Sequence, residues 1–97
     1  MKKIMLENNE YEIVEDYKEC FDIEVVKELY TDYFYDYDFI LGDYSYGKLR
    51  LKGFYSEKNK KVKDLNNIKK YKDYLKDYCA TECPYFLLKK QNNIDKK

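Results

Sequence analysis

One segment constrains the fold more than any other. Pro84 is followed by Tyr85-Phe86-Leu87-Leu88, four consecutive apolar residues. Proline stops a preceding helix and opens an extended run. Successive side chains of a strand point to opposite faces, so an unbroken apolar run implies burial on both faces and a central position in a sheet. The rest of the chain supplies neighbours for it. Residues 2–6 and 10–16 read as short strands around Asn8-Asn9, asparagine being tolerant of the left-handed conformation of a tight turn. In the second of them Tyr11, Ile13 and Glu15 alternate with Glu10, Glu12 and Val14. Asp38-Phe39-Ile40-Leu41-Gly42 reads as a third strand and residues 48–55 as its partner. The connection Asp43-Tyr44-Ser45-Tyr46-Gly47 places Gly47 where positive φ is most needed. In the partner strand Leu49 and Leu51 alternate with Lys48, Arg50 and Lys52, giving one buried and one basic face. Gly53 interrupts that alternation and marks a β-bulge or a close backbone approach.

Two helices complete the pattern. Asp22 is placed to cap the first, with Glu24 in its first turn. Val26, Leu29, Tyr30, Tyr33, Phe34 and Tyr37 follow at helical spacing, predicting a buried stripe and a helix that ends between Phe34 and Tyr37. Ser56 to Asn67 is polar and lysine-rich and reads as a mobile surface loop. Asn66 or Asn67 can cap the second helix, whose apolar stripe is Ile68, Tyr71, Leu75 and Tyr78. The order is β-β-α-β-β-α-β. Without its first strand it has the β-α-β-β-α-β sequence of a ferredoxin-like fold, an alternative architecture.

With 97 residues the chain suits a single small α+β domain, read here as residues 1–90 with a polar tail at 91–97. Eighteen Tyr and Phe side chains give it enough apolar area to exclude disorder despite 39% charged residues. No apolar run of about 18 residues exists, so no membrane partner is expected. The basic opening at Lys2-Lys3 is followed at once by Glu7-Asn8-Asn9-Glu10, which ends any signal-peptide reading, and a cytoplasmic location is expected. Net charge is zero, but residues 1–43 hold 4 basic and 13 acidic side chains and residues 44–97 hold 15 and 6. This split of −9 against +9 invites partners through the basic half, or self-association of acidic on basic halves, unless folding interleaves the two.

Recognisable catalytic chemistry is sparse. The chain has no histidine, which removes the commonest general base and the commonest metal ligand. Three cysteines, Cys20, Cys79 and Cys83, are too few and too odd for a complete disulfide framework, and reduced thiols are expected. Cys79 and Cys83 form C-x3-C, a weak metal or redox candidate beside the simpler role of buried small hydrophobes. Lys52-Gly53-Phe54 resembles the start of the aromatic strand of RNA-recognition motifs, but Tyr55 and Ser56 end the match. No phosphate-binding or dinucleotide glycine pattern is present, and no cofactor is expected.

Three blocks carry a family resemblance across nearly the whole chain. The first is Tyr11-Glu12-Ile13-Val14-Glu15-Asp16-Tyr17 with Phe21-Asp22. The second runs without a break from Tyr37 to Tyr55 and contains Gly42-Asp43, Tyr46-Gly47 and Leu49-Arg50-Leu51-Lys52-Gly53-Phe54. The third is Tyr74-Leu75-Lys76-Asp77-Tyr78-Cys79, continuing to Cys83 and Tyr85 to Lys90. In these blocks the sequence resembles the YutD-like family, small uncharacterised proteins of low-GC Gram-positive bacteria. It departs from the family pattern at Tyr44, where tryptophan is usual, and at Pro84, where a small residue is. The resemblance implies a mainly antiparallel sheet with two helices packed on it, and no established activity, substrate or cofactor.

The residues then point to a non-enzymatic binding or regulatory module. Its expected surface is Asp43, Tyr44, Tyr46, Gly47, Lys48, Arg50, Lys52 and Gly53, extended by the loop from Lys58 to Lys63, with a protein or a nucleic acid as partner. The alternative is a small enzyme or a thiol- or metal-dependent site around Asp43, Arg50, Cys79 and Cys83.

Overall fold

The structure is a computed structural model and describes residues 2–78 and 83–91. Cys79, the side chain of Tyr78 and the tail from residue 92 onward lie outside the described residues. Five strands, β1 (Lys2–Leu6), β2 (Asn9–Tyr17), β3 (Phe39–Ser45), β4 (Lys48–Phe54) and β5 (Tyr85–Lys90), form one sheet in the order β1-β2-β5-β3-β4. Every ladder is antiparallel. Helix α1 (Ile23–Leu29) lies between β2 and β3 in sequence, and α2 (Tyr71–Tyr78) between β4 and β5. The apolar run therefore does occupy the middle of the sheet. A ferredoxin-like split βαβ fold places the last strand at an edge of the sheet, whereas here β5 lies between β2 and β3, so that alternative is excluded.

The helices cover opposite faces. Ile23 and Val26 of α1 pack with Leu6, Tyr11, Ile40, Phe86 and Leu88, while Tyr71, Tyr74 and Leu75 of α2 pack with Leu41, Phe54 and Leu87. Phe86 and Leu88 of β5 face α1, and Leu87 between them faces α2, which is why an unbroken apolar run is required there. The two charge halves of the chain interleave within the sheet, because β5 inserts between β2 and β3. A difference remains between its faces. The α1 layer exposes Glu24, Glu28, Asp32 and Asp36 against Lys27, whereas the α2 layer carries Lys69, Lys70, Lys72 and Lys76 against Asp73 and Asp77.

Several local features differ from expectation. The β1–β2 turn is Glu7-Asn8 rather than Asn8-Asn9, with Glu7 at φ 56° and Leu6 paired to Asn9. Helix α1 stops at Leu29. Tyr30 is extended, which carries its ring into the core, where its hydroxyl meets that of Tyr11 at 2.9 Å and accepts from Asn9 Nδ2 at 3.1 Å. Thr31 then caps a separate 3-10 turn, Asp32–Phe34, by accepting from the Tyr33 amide. Of the predicted stripe, Val26, Tyr30 and Phe34 are buried, but Leu29 and Tyr33 face solvent.

The Ser56–Asn67 segment is anchored rather than loose. Asp38 Oδ2 accepts from the Ser56 amide and Asn59 Nδ2, and Tyr55 exchanges backbone hydrogen bonds with Asn66 and Ile68. Gly53 keeps regular register, so it is a close approach and not a bulge: a Cβ there would lie 2.3 Å from the Tyr37 ring. Asp22 and Asn67 cap as expected, Asn67 doing so for a 3-10 turn, Ile68–Lys70, that leads into α2.

Candidate functional site

The β3–β4 connection is tighter than the sequence indicates. Ser45 pairs with Lys48, leaving only Tyr46 and Gly47 as the turn, at φ 54° and 77°. Two successive positive φ values match the twist of a two-residue hairpin. Tyr46 is 102% exposed and stands at the tip. Asp43 and Tyr44, expected in the connection, instead lie inside β3 and point to opposite faces.

Asp43 faces α2 and is fully buried, and its Oδ1 accepts from Arg50 Nε at 3.0 Å and Nη2 at 2.8 Å. Its Oδ2 has no hydrogen-bond partner among the described residues. The Asp43 carboxylate raises the pKa of Arg50 above its ordinary value by holding the guanidinium proton. Sheet register puts Tyr17, Tyr85, Asp43 and Arg50 in one row across the α2 face.

A bulge in β2 extends this polar row. The register shifts between Ile13, opposite Leu88, and Glu15, opposite Leu87. Simple alternation puts Glu15 with Tyr11 and Ile13 against α1; the extra residue turns it toward α2. There it accepts from Tyr71 Oη at 2.5 Å and lies 3.3 Å from Tyr85 Oη. Burial, then the Glu15 carboxylate, push both phenols upward in pKa. Tyr71 and Tyr85 read as plain core residues in the sequence, and nothing local to residues 11–17 signals the bulge.

The expected basic strand face is largely engaged. Besides the Asp43–Arg50 pair, Lys52 Nζ sits 5.3 Å from the Phe54 ring centroid and 5.5 Å from that of Tyr74, a cation–π arrangement. Lys48 is exposed, without an ion-pair partner among the described residues. Tyr44 lies on the α1 side, and burial raises its pKa. In the Lys58–Lys63 loop, Lys61 pairs with Asp36. The structure thus brings together Asp43, Arg50 and Lys52, places Tyr46, Gly47 and Lys48 at the hairpin end, and separates Tyr44 and Gly53 from both.

The expectation of reduced thiols fails at Cys83, which is disulfide-bonded; an odd count excludes a complete framework, not a single bridge. Pro84 beside it accepts through its carbonyl from the Tyr44 amide at 3.1 Å. Cys20 is a free thiol, and burial, with Asp16 nearby, pushes its pKa to about 11. Among the described residues no group of three or more His, Cys, Asp or Glu is placed to hold a metal, and no helix is long and apolar enough to cross a membrane.

These features define a small α+β domain whose sheet is covered on both faces and whose most exposed aromatic side chain, among the described residues, tops a tight hairpin. The family model described as "Putative antitoxin YutD-like" matches residues 5–89, and the chain belongs to that family. It is 40% identical over 87 residues to the "Putative antitoxin YutD" of Bacillus subtilis (strain 168), covering 90% of this chain and 96% of that one. The solution NMR structure of protein yutD from B. subtilis superposes with a TM-score of 0.81 at 36% identity, over 99% of this chain and 87% of that one.

Proposed function

We propose that the chain is a non-enzymatic cytoplasmic binding module that recognises a protein partner, of the toxin class that the family description implies, through the β3–β4 hairpin. The observation that carries this reading is Tyr46, fully exposed on a two-residue turn. Tyrosine at the tip of a rigid frame offers large contact area at little entropic cost, and such residues dominate protein interfaces. The frame is stiffened from within by the Asp43–Arg50 pair and by the ring of Tyr37 against Gly53. Lys48 and Gly47 complete the contact surface, with Arg50 and Lys52 behind them. A protein is favoured over a nucleic acid because Arg50 and Lys52 are engaged by Asp43 and by aromatic rings, leaving Lys48, among the described residues, as the unengaged cation of the hairpin surface to release counterions from phosphates.

The test is affinity capture from lysate with and without nuclease, followed by binary binding of the recovered protein. Capture should survive nuclease, and Tyr46→Ala should weaken binding by about tenfold or more while leaving thermal stability unchanged. Loss of capture on nuclease treatment, or undiminished binding by Tyr46→Ala, overturns the reading.

A further inference from the structure

At the opposite edge of the sheet from the hairpin, β1 runs beside α1 and leaves a cleft between them. Its volume is about 520 Å³, and it is lined by Ile4, Met5, Phe21 and Ile23 with Lys2 and Lys27 at its rim. A second cleft of about 460 Å³ continues from it past Met5 and Lys27 toward Tyr30. Ile4 and Met5 point to opposite faces of β1, so a cleft that touches both runs along the free edge of the strand. In an antiparallel edge strand every second residue turns its amide and carbonyl outward, and among the described residues β1 pairs only with β2. Met5 is half exposed there.

The charges around the cleft are unequal in engagement. Its two acids are in use: Asp22 caps α1 by accepting from the Glu24 amide, and Glu7 accepts from the Tyr35 hydroxyl. Its two lysines have no ion-pair or hydrogen-bond partner among the described residues. An apolar cleft flanked by a helix and an open strand edge, with two unengaged cations on its rim, suits one kind of occupant. We infer that this cleft binds an extended segment of a partner protein that adds to β1 as a sixth strand, its cleft-facing side chains apolar in the middle of the segment and acidic at the two ends. The backbone of the segment pairs with the open edge, the apolar side chains on its α1 side enter the cleft, and the carboxylates at the ends of that same face meet Lys2 and Lys27. A second copy fits poorly, because the open edge of this chain's own β1 carries Lys2 and Lys3 and that of β4 carries Lys48 and Lys52.

The test titrates the isotopically labelled full chain with a blocked eight-residue peptide carrying valine at positions 3 and 5, glutamate at positions 1 and 7 and threonine elsewhere, with the same peptide carrying lysine at positions 1 and 7 as control. The glutamate peptide should shift the amide resonances of residues 4–5 and 21–27 and slow amide exchange in β1. Lys27→Glu should weaken binding about fivefold, Lys2→Glu should act in the same direction, and Tyr46→Ala should leave it unchanged. That last variant separates this site from the hairpin surface. Absence of shifts at millimolar peptide, an equal response to the lysine peptide, or indifference to Lys27→Glu overturns the inference. So does concentration-dependent self-association that itself perturbs the β1 resonances.

Discussion

On the α1 face of the sheet, Leu6, Tyr11, Val26, Tyr30, Phe34, Ile40, Phe86 and Leu88 are buried together, and the polar atoms among them are phenol hydroxyls that bond to one another. On the α2 face, among the described residues, only Leu41, Phe54 and Leu87 form the buried cluster, and the space beside it holds Asp43, Arg50, Glu15, Tyr71 and Tyr85. One face is an aromatic core and the other a small core bordered by ionisable groups. The difference teaches that the two helices stabilise the sheet in different currencies: α1 by apolar area, α2 by area together with charge-assisted hydrogen bonds that depend on protonation.

The sharpest way to break this comparison uses neighbours on one strand. Phe86→Ala, facing α1, should cost about 3–5 kcal/mol, and Leu87→Ala, facing α2, about 2–3 kcal/mol, read from urea unfolding midpoints. A larger loss at Leu87 would reverse the assignment of the main core. Next in size, Arg50→Leu should cost about 2 kcal/mol. That lies below the usual range for a broken buried pair because the Arg50 side chain is 42% exposed. The double variant Asp43→Leu with Arg50→Leu should recover more than half of it, since no buried carboxylate is then left alone. Failure of the second change to rescue the first would show that the pair is not the unit that matters.

The smallest effect concerns alkali. The Tyr33 hydroxyl, hydrogen-bonded to that of Tyr37, pushes the Tyr37 pKa to about 12, and burial raises Tyr11 and Tyr71 as well. Each folded-state value exceeds the ordinary phenol value of about 10. The unfolded chain therefore gives up these protons first, so stability is full below about pH 10 and declines as pH rises toward 12. Glu15→Gln should lower the ionisation midpoint of Tyr71 by about one pH unit and leave Tyr11 and Tyr37 in place, measured by ring-carbon NMR of labelled tyrosine. Equal movement of all three would mean that the two faces do not titrate separately.

Much of the frame is legible because its signals are local. Pro84 before four apolar residues specifies the central strand, Gly47 specifies the turn, and Asp22 and Asn67 are short polar caps in the right places. What is not legible depends on contacts distant in sequence. The stripe from Val26 to Tyr37 has uninterrupted helical spacing, yet the hydroxyls of Tyr11 and Tyr30 draw residue 30 out of the helix. Glu15 sits in perfect alternation with Tyr11 and Ile13, and only the register against β5 reveals the bulge. Asp43 looks like a turn residue until the two-residue turn puts it in β3 opposite Arg50. The lysines of β4 look free until Tyr74 arrives from α2 to lie beneath one of them. The candidate surface was therefore legible at the hairpin tip and illegible behind it.

The central strand is also the last of the five in chain order. As the polypeptide leaves the ribosome, β1–β2 and β3–β4 can close as separate hairpins, but neither has its inner neighbour. Isolated hairpins are marginal in water, and the partners of Phe86 and Leu88 on one side and of Leu87 on the other stay uncovered until β5 arrives. Assembly is thus gated by the final strand, which acts as a keystone. A nascent chain halted before Tyr85 would present two further open strand edges, those of β2 and β3, to whatever surrounds it, and these would be features for proteases and chaperones to recognise.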